Sequence, residues 1–84
     1  MVANAYVLIN VDPAKTQAVV QRLRAVPKAI VHEVLGPFDI VVELEADTQQ
    51  DLTSTLRHIR AYAGIDKTVT CLWITGPELT GGGE

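Results

Sequence analysis

The sequence lacks several features that mark specialised classes of protein. A single cysteine, Cys71, excludes an internal disulfide, so a reducing cytoplasm is the expected location. Basic residues form no run and the formal net charge is −3, which argues against a nucleic-acid-binding surface. No apolar stretch approaches the roughly 20 residues that span a bilayer, and the amino terminus lacks the basic segment of a secretory signal.

The overall composition is that of one small folded domain. Hydrophobic residues make up 48% of the 84 positions, which is enough to form a core and argues against disorder. Gly76-Pro77 interrupts the last apolar run, and a glycine-rich end follows it. We therefore expect a single domain over residues 1–76 and a flexible carboxy-terminal tail over residues 77–84.

The spacing of apolar residues predicts four strands and two helices. Runs rich in β-branched residues predict strands over residues 3–11, 29–35, 39–45 and 66–75. Apolar residues recurring every three or four positions predict helices from Asp12 to about Ala25, and from Asp47 or Thr48 to Gly64. The order β-α-β-β-α-β is the ferredoxin-like arrangement, an α+β fold with both helices on one face of a four-stranded antiparallel sheet.

Both faces of the predicted sheet carry apolar side chains. In the first strand, for example, Tyr6 and Leu8 alternate with equally apolar residues on the opposite side. Two helices cover only one face, so the other is an exposed patch of the kind that marks an interface. We expect a homodimer that pairs sheet against sheet as an α+β barrel; the alternative is a monomer with some exposed valines. A charge at Val42 or Val69 should break the assembly if its face is the interface.

Motifs of nucleotide, metal or nucleophilic chemistry are missing. The glycines form neither GxGxxG nor a P-loop, and no histidine has a ligand partner at metal-binding spacing. Cys71 lies within a strand and has no basic neighbour, so we interpret it as a small buried hydrophobic residue. His32 is a candidate base, although a partly solvated strand histidine is the favoured alternative. We therefore expect no cofactor, no metal and no catalytic residue.

Two stretches together resemble a known family. They are HEVLGPFDIVVELEADT, starting at His32, and GIDKTVTCLWI, starting at Gly64. In this order and spacing they resemble the effector-binding (RAM) domain of the leucine-responsive Lrp/AsnC transcription regulators, over residues 3–74. The residues that fit the pattern are Gly36, Asp39, Ile65, Thr68 and Thr70. Pro37-Phe38 stands where the family often has a polar residue and an aromatic, so the aromatic is kept and the turn is stiffer.

The resemblance implies a ligand site made of the hairpin and the last strand. Its residues are Gly36, Phe38, Asp39, Thr68 and Thr70. Asp39 would bind the α-ammonium group of an amino acid, the glycine would let the backbone approach it, and the threonine hydroxyls would add contacts. From the residues alone, a structural alternative stays open. In that alternative the glycine serves the turn, Asp39 caps local N–H groups and the threonines favour β structure.

The resemblance also implies a non-enzymatic sensor of amino acids or related metabolites. The expected partners are that ligand, a second copy of the chain, a larger ring such as an octamer or decamer, and a full-length Lrp/AsnC regulator. No segment of the chain corresponds to the helix-turn-helix of full regulators, so no direct contact with nucleic acid, and none with a membrane, is expected. The alternative is a small dimeric barrel enzyme of the cofactor-independent oxygenase or isomerase type, with His32 or Asp39 as the base. A third option is an ACT-like amino-acid module.

Overall fold

The computed structural model describes residues 2–74, and they form the predicted ferredoxin-like α+β fold. The elements, with a 3-10 turn over Pro13–Lys15, are β1 (Ala3–Val11), α1 (Thr16–Arg24), β2 (Ala29–Glu33), β3 (Ile40–Ala46), α2 (Gln49–Arg60) and β4 (Ile65–Leu72). The predicted tail at 77–84 lies outside the described residues. Within residues 2–74 no helix has the length and apolar character needed to cross a membrane.

The four strands form one antiparallel sheet in the order β2-β3-β1-β4. The central strand β1 therefore has a partner on each side, and Val7 lies opposite Val42 of β3 and Thr70 of β4. Residues directly opposite one another in an antiparallel pair point to the same face of the sheet. Apart from an irregularity between Asn10 and Val11 in the β1–β4 pairing, this register assigns the paired strand residues to a face.

Five strand boundaries differ from those predicted. β2 ends at Glu33 instead of residue 35, and β3 runs from Ile40 to Ala46 instead of over 39–45. The Val34 N–H donates to the Asp39 carbonyl (3.0 Å), which adds one bond beyond the Glu33–Ile40 pair before the loop. Proline cannot donate a hydrogen bond to a strand ladder, which is consistent with Pro37 lying in that loop. β4 begins one residue earlier, at Ile65, and ends at Leu72.

The amino termini of both helical segments are capped as their sequences predict. The Asp12 carboxylate accepts a hydrogen bond from the Ala14 N–H (3.0 Å) ahead of α1. The Thr48 hydroxyl accepts one from the Asp51 N–H (3.0 Å) at the start of α2. Of the two predicted caps for α2, Thr48 is therefore the one that forms. Each cap satisfies a backbone N–H that lacks a partner in the first turn of a helix.

The hydrophobic core lies between the helices and one face of the sheet. Its buried side chains are Ala5, Val7, Ile9, Val11, Val19, Val20, Leu23, Ile40, Val42, Leu44, Ala46, Leu52 and Ile59. In β1 and β3 the buried residues alternate strictly with more exposed ones, as expected when helices cover one face only. Val42 belongs to this core, so the condition set for a charge at that position, that its face is the interface, is not met, and Val69 alone remains a test of the interface. The face of Val42 is the one covered by the helices.

Of the two glycines within residues 2–74, Gly64 is the one on which the fold depends more. Its φ of 98° lies in the region that favours glycine, and an added Cβ would be 2.8 Å from the Lys15 Cβ and 3.0 Å from a Val19 methyl carbon. We expect Gly64→Ala to lower the free energy of unfolding by about 1–3 kcal/mol. Urea unfolding followed by circular dichroism measures this. Gly36→Ala is the matched control, because nothing lies within 4 Å of its added Cβ. Equal losses in both variants would contradict this role of Gly64.

Candidate functional site

The loop between β2 and β3 is tied to the end of β1 through Asp39. The Asp39 N–H donates to the Ile9 carbonyl (2.9 Å), which extends the β1–β3 pairing by one bond. Its carboxylate oxygen Oδ2 accepts from the Val11 N–H at 3.0 Å and lies 3.5 Å from the Asn10 amide nitrogen. That amide also donates to the Pro37 carbonyl (2.9 Å), so Asn10 holds both ends of the Pro37–Asp39 segment.

Asp39 therefore has a structural role, although the N–H groups that it accepts from are distant in sequence and are not the local ones of the alternative reading. Both carboxylate hydrogen bonds reach Oδ2, and within residues 2–74 none reaches Oδ1. The residue as a whole is exposed. A carboxylate oriented by the backbone and open on one side has acceptor capacity for a further donor. Its contact with a ligand stays a prediction.

The other predicted site residues lie at different places around β1. Thr68 and Thr70 share one side of β4, as their spacing predicts. They lie opposite Ile9 and Val7, so that side is the one that faces the helices. Asn10, which contacts Asp39, alternates with buried residues and lies on the other side. One chain therefore does not bring the threonines and the Asp39 carboxylate together on one face.

Gly36 and Phe38 complete the predicted set and lie in the loop itself. Gly36 is exposed and does not have a positive φ, so the turn does not require glycine at that position. Phe38 is partly buried beside the residues that tie the loop to β1. Neither residue has a hydrogen-bonded contact that distinguishes a ligand role from a turn role.

The sheet face opposite the helices, here called the open face, is largely apolar. Its residues include Tyr6, Leu8, Ile30, Val41, Val69, Cys71 and Trp73. The Tyr6 and Trp73 rings are 5.3 Å apart between centroids. Tyr6 and Ile30 are exposed, at 40% and 56%. Cys71 is also exposed, so its interpretation as buried is wrong: it lies on the side of edge strand β4 that no helix covers.

The open face also holds a histidine–carboxylate pair that the sequence did not reveal. His32 Nε2 and Glu43 Oε2 are 3.0 Å apart. His32 lies opposite Val41 in the register, so Glu43 is its diagonal neighbour on β3. The pairing of β2 with β3 is what brings the two side chains together. Cys71 lies three strands away, about 14 Å at the usual strand spacing. A cysteine–histidine pair within one chain is therefore excluded.

A second polar feature missed by the sequence surrounds Trp73. Its indole nitrogen is buried and has no hydrogen-bond partner among residues 2–74. A small cavity of about 100 Å³ lies beside it, with Lys28, Glu43 and Glu45 in its wall. Lys28 pairs with Asp47 at 2.8 Å; this hydrogen bond, and secondarily the charge attraction, raises the pKa of Lys28 and lowers the pKa of Asp47. Both groups are well exposed, so the pair adds little stability.

No group of three or more histidine, cysteine or carboxylate side chains in the described part of the chain could hold a metal ion. The geometry of the polar residues is instead that of hydrogen-bonding and ion-pairing sites. Two such places stand out, the Asp39 loop and the open face around His32 and Trp73. The first joins a loop to β1, and the second contains residues from several strands.

Known proteins with the same fold include small chains and transcription regulators. FFRP-DM1 superposes with a TM-score of 0.81 and 30% identity, over 86% of this chain and 99% of that one. AsnC of E. coli gives a TM-score of 0.80 with 15% identity, over 89% of this chain and 52% of AsnC. A complex of the regulator NMB0573 with L-Met, from Neisseria meningitidis, gives 0.78 and 9%, over 89% of this chain and 51% of the regulator. The two low identities establish a shared fold only.

Two further comparisons rest on the sequence and not on the fold. Homocitrate synthase of Sulfurisphaera tokodaii is 38% identical over 58 residues, which is 68% of this chain but 13% of that enzyme. The chain thus corresponds to a small part of the enzyme's length. Residues 6–69 match the family described as NapD protein, which is most of the sequence. The resemblance to Lrp/AsnC regulators is confirmed as a common fold, and by its own sequence the chain belongs to the NapD protein family.

Proposed function

We propose that this chain is a non-enzymatic module that binds a small metabolite, an amino acid in the first instance, and assembles with further copies of itself. The observation that carries the proposal is the Asp39 carboxylate. It is exposed, oriented by the backbone of β1, and bonded through one oxygen only. An α-ammonium group carries three N–H donors and a positive charge, so it suits the remaining oxygen.

In this proposal, assembly brings together the Asp39 carboxylate and the two threonines, which one chain holds on different sides of the sheet. Thr68 and Thr70 point away from the Asp39 side of the sheet, so a site that uses all of them needs residues from more than one copy. The apolar open face offers a surface for the first contact, a homodimer. A solved regulator of the same fold holds L-Met, which supports an amino-acid ligand by analogy only. A ring of dimers, mixing with a full-length regulator and a cytoplasmic location belong to the same proposal.

The enzyme alternative has one observation in its favour. The His32–Glu43 pair could orient an imidazole as a general base on the open face. No cysteine lies within reach of that histidine, and the pair itself is half exposed to solvent. A base alone does not define a reaction. The binding module is therefore the better-supported function.

The test is a thermal-shift screen of wild type and Asp39→Asn against the common amino acids at millimolar concentration. A ligand at a hundred times its Kd stabilises by about 2.7 kcal/mol, which should raise the midpoint of a domain of this size by roughly 10 °C. Asn keeps an oxygen acceptor for the Val11 N–H but lacks the charge. We expect it to lose the ligand-induced shift and to keep nearly the same midpoint without ligand.

Asp66→Asn is the matched control, because it removes the same charge from an exposed residue of β4. It should respond to the ligand as wild type does. A full shift in Asp39→Asn would remove Asp39 from the site. If no amino acid shifts the wild type, the amino-acid proposal fails, and the His32–Glu43 pair becomes the next feature to test.

A further inference from the structure

The helical layer differs in charge from the rest of the molecule. Residues 13–26 and 52–63 contain no Asp or Glu, although the chain has a formal net charge of −3. Five of the seven Lys and Arg residues lie in these two segments: Lys15, Arg22, Arg24, Arg57 and Arg60. The carboxylates lie elsewhere: Asp12 and Asp51 stand at the amino-terminal ends of the two helical segments, and Glu43 and Glu45, for example, lie on the open face. The bodies and carboxy-terminal ends of the helices therefore carry a net positive charge, while the remainder of the chain is net negative.

A groove beside α1 and α2 presents one of these positive charges, that of Arg22. It has a volume of about 370 Å³ and is lined by Arg22, Thr55, His58 and Tyr62, with Val26 and Pro27 among its apolar residues. This volume lies within the range of small-molecule sites. No carboxylate is among the lining residues. The ion pairs found within residues 2–74, Lys28–Asp47 and His32–Glu43, lie outside the groove, so Arg22 has no carboxylate partner there.

Arg22 is held in position by an aromatic ring. Its guanidinium carbon lies 4.4 Å from the centroid of the Tyr62 ring, a cation–π contact. The cation–π contact restrains the guanidinium, whose N–H groups remain able to donate to a bidentate anion. Preorganisation of this kind reduces the entropy lost on binding.

His58 adds a second polar group with a defined orientation. Its Nδ1 lies 2.8 Å from the Ser54 carbonyl, which can only accept, so Nδ1 carries the proton and donates. The remaining ring nitrogen, Nε2, is the polar atom that His58 can offer to a ligand. The Thr55 hydroxyl donates to the Asp51 carbonyl (3.1 Å) and keeps its lone pairs. The groove thus combines a fixed cation, two adaptable polar groups and an apolar wall.

We propose that this groove is a binding site for a small organic anion, with a carboxylate or phosphate on Arg22 and an apolar body against Val26 and Pro27. The site is separate from the Asp39 loop, because it lies beside the helices and binds the opposite charge. It does not depend on the amino-acid proposal. Carboxylate and phosphate share the chemistry that Arg22 recognises, and the probes below distinguish them.

The test is a titration of the full chain, followed by backbone amide NMR, with benzoate, phenyl phosphate and the neutral analogue benzyl alcohol. We expect one or both anions to shift the amide signals around Arg22, Thr55 and Tyr62 at millimolar concentration, and benzyl alcohol to leave them unchanged. The anion with the lower Kd identifies the preferred head group. Scattered shifts at every basic residue, or equal shifts with benzyl alcohol, would overturn the proposal.

Arg22→Gln is the decisive variant and Arg24→Gln its matched control. Both residues are exposed arginines of α1, two positions apart, but Arg24 does not line the groove. Arg22→Gln should weaken anion binding at least tenfold, with the amide signals of the core unchanged, whereas Arg24→Gln should bind within twofold of wild type. Asp39→Asn should also bind the anion normally, which separates this site from the amino-acid site. Equal losses in the two arginine variants would reduce the effect to general charge attraction and contradict the site.

Discussion

Replacing Val42 with aspartate should leave the chain unfolded. Val42 is completely buried at the centre of β3, and it lies opposite Val7 of β1 and Val31 of β2. No charged or polar residue is buried in the described part of the chain, so the new carboxylate would find no partner in the core. An unpaired buried carboxylate costs several kcal/mol, as much as the whole stability of a small domain.

Val69→Asp is the contrasting variant. Val69 lies opposite Leu8 on the open face and is only partly buried, so a carboxylate there keeps access to water within one chain. Circular dichroism and urea unfolding should show a random coil for Val42→Asp and a folded domain for Val69→Asp. A cooperative unfolding transition in Val42→Asp would contradict the assignment of this face to the helices.

Val42 also shows how much of the fold can be predicted from the sequence. Alternation along the sequence of β3 groups Val42 with Ile40 and Leu44, and the same alternation in β4 groups Val69 with Cys71 and Trp73; the register agrees with both groupings. Periodicity of two separates the faces of a strand but does not say which face the helices cover when both are apolar. That choice depends on the handedness of the connections and on the register. The fold class was therefore predictable, whereas the burial of Val42 and the exposure of Cys71 were not.

The contacts of the candidate site could not be predicted from the sequence either, for a different reason. The sequence selected Asp39, but its contacts reach Asn10 and Val11, 29 and 28 residues earlier in the chain. Nothing in the local sequence encodes those partners, since they result from the pairing of β1 with β3. The Arg22–Tyr62 contact likewise joins α1 to the turn that follows α2, through the packing of the core. Local patterns predict elements, and long-range pairing creates the sites.

Replacing Leu8 with aspartate should convert an assembled protein into a monomer. Leu8 occupies the middle of the open face, with Val41 of β3 on one side and Val69 of β4 on the other. In a dimer that pairs these faces, the carboxylate would lie at the centre of an apolar interface, where an unpaired charge is most costly. We expect the dimer Kd to rise at least a hundredfold, equivalent to about 2.7 kcal/mol. Sedimentation equilibrium should give twice the chain mass, or a larger even multiple if dimers form a ring, for wild type, and a markedly lower mass, towards that of one chain, for Leu8→Asp.

Two observations distinguish a lost interface from a damaged fold. Ala18→Asp places the same charge on an exposed residue of α1 and should remain dimeric. Cys71, which lies opposite Tyr6 on the open face, is the only thiol and serves as a reporter. A thiol reagent should modify it slowly in the wild-type dimer and rapidly in folded Leu8→Asp, because the partner copy covers it only in the dimer. A wild-type chain that sediments as a monomer with a reactive Cys71, or a Leu8→Asp variant that stays dimeric, would exclude the open face as the interface.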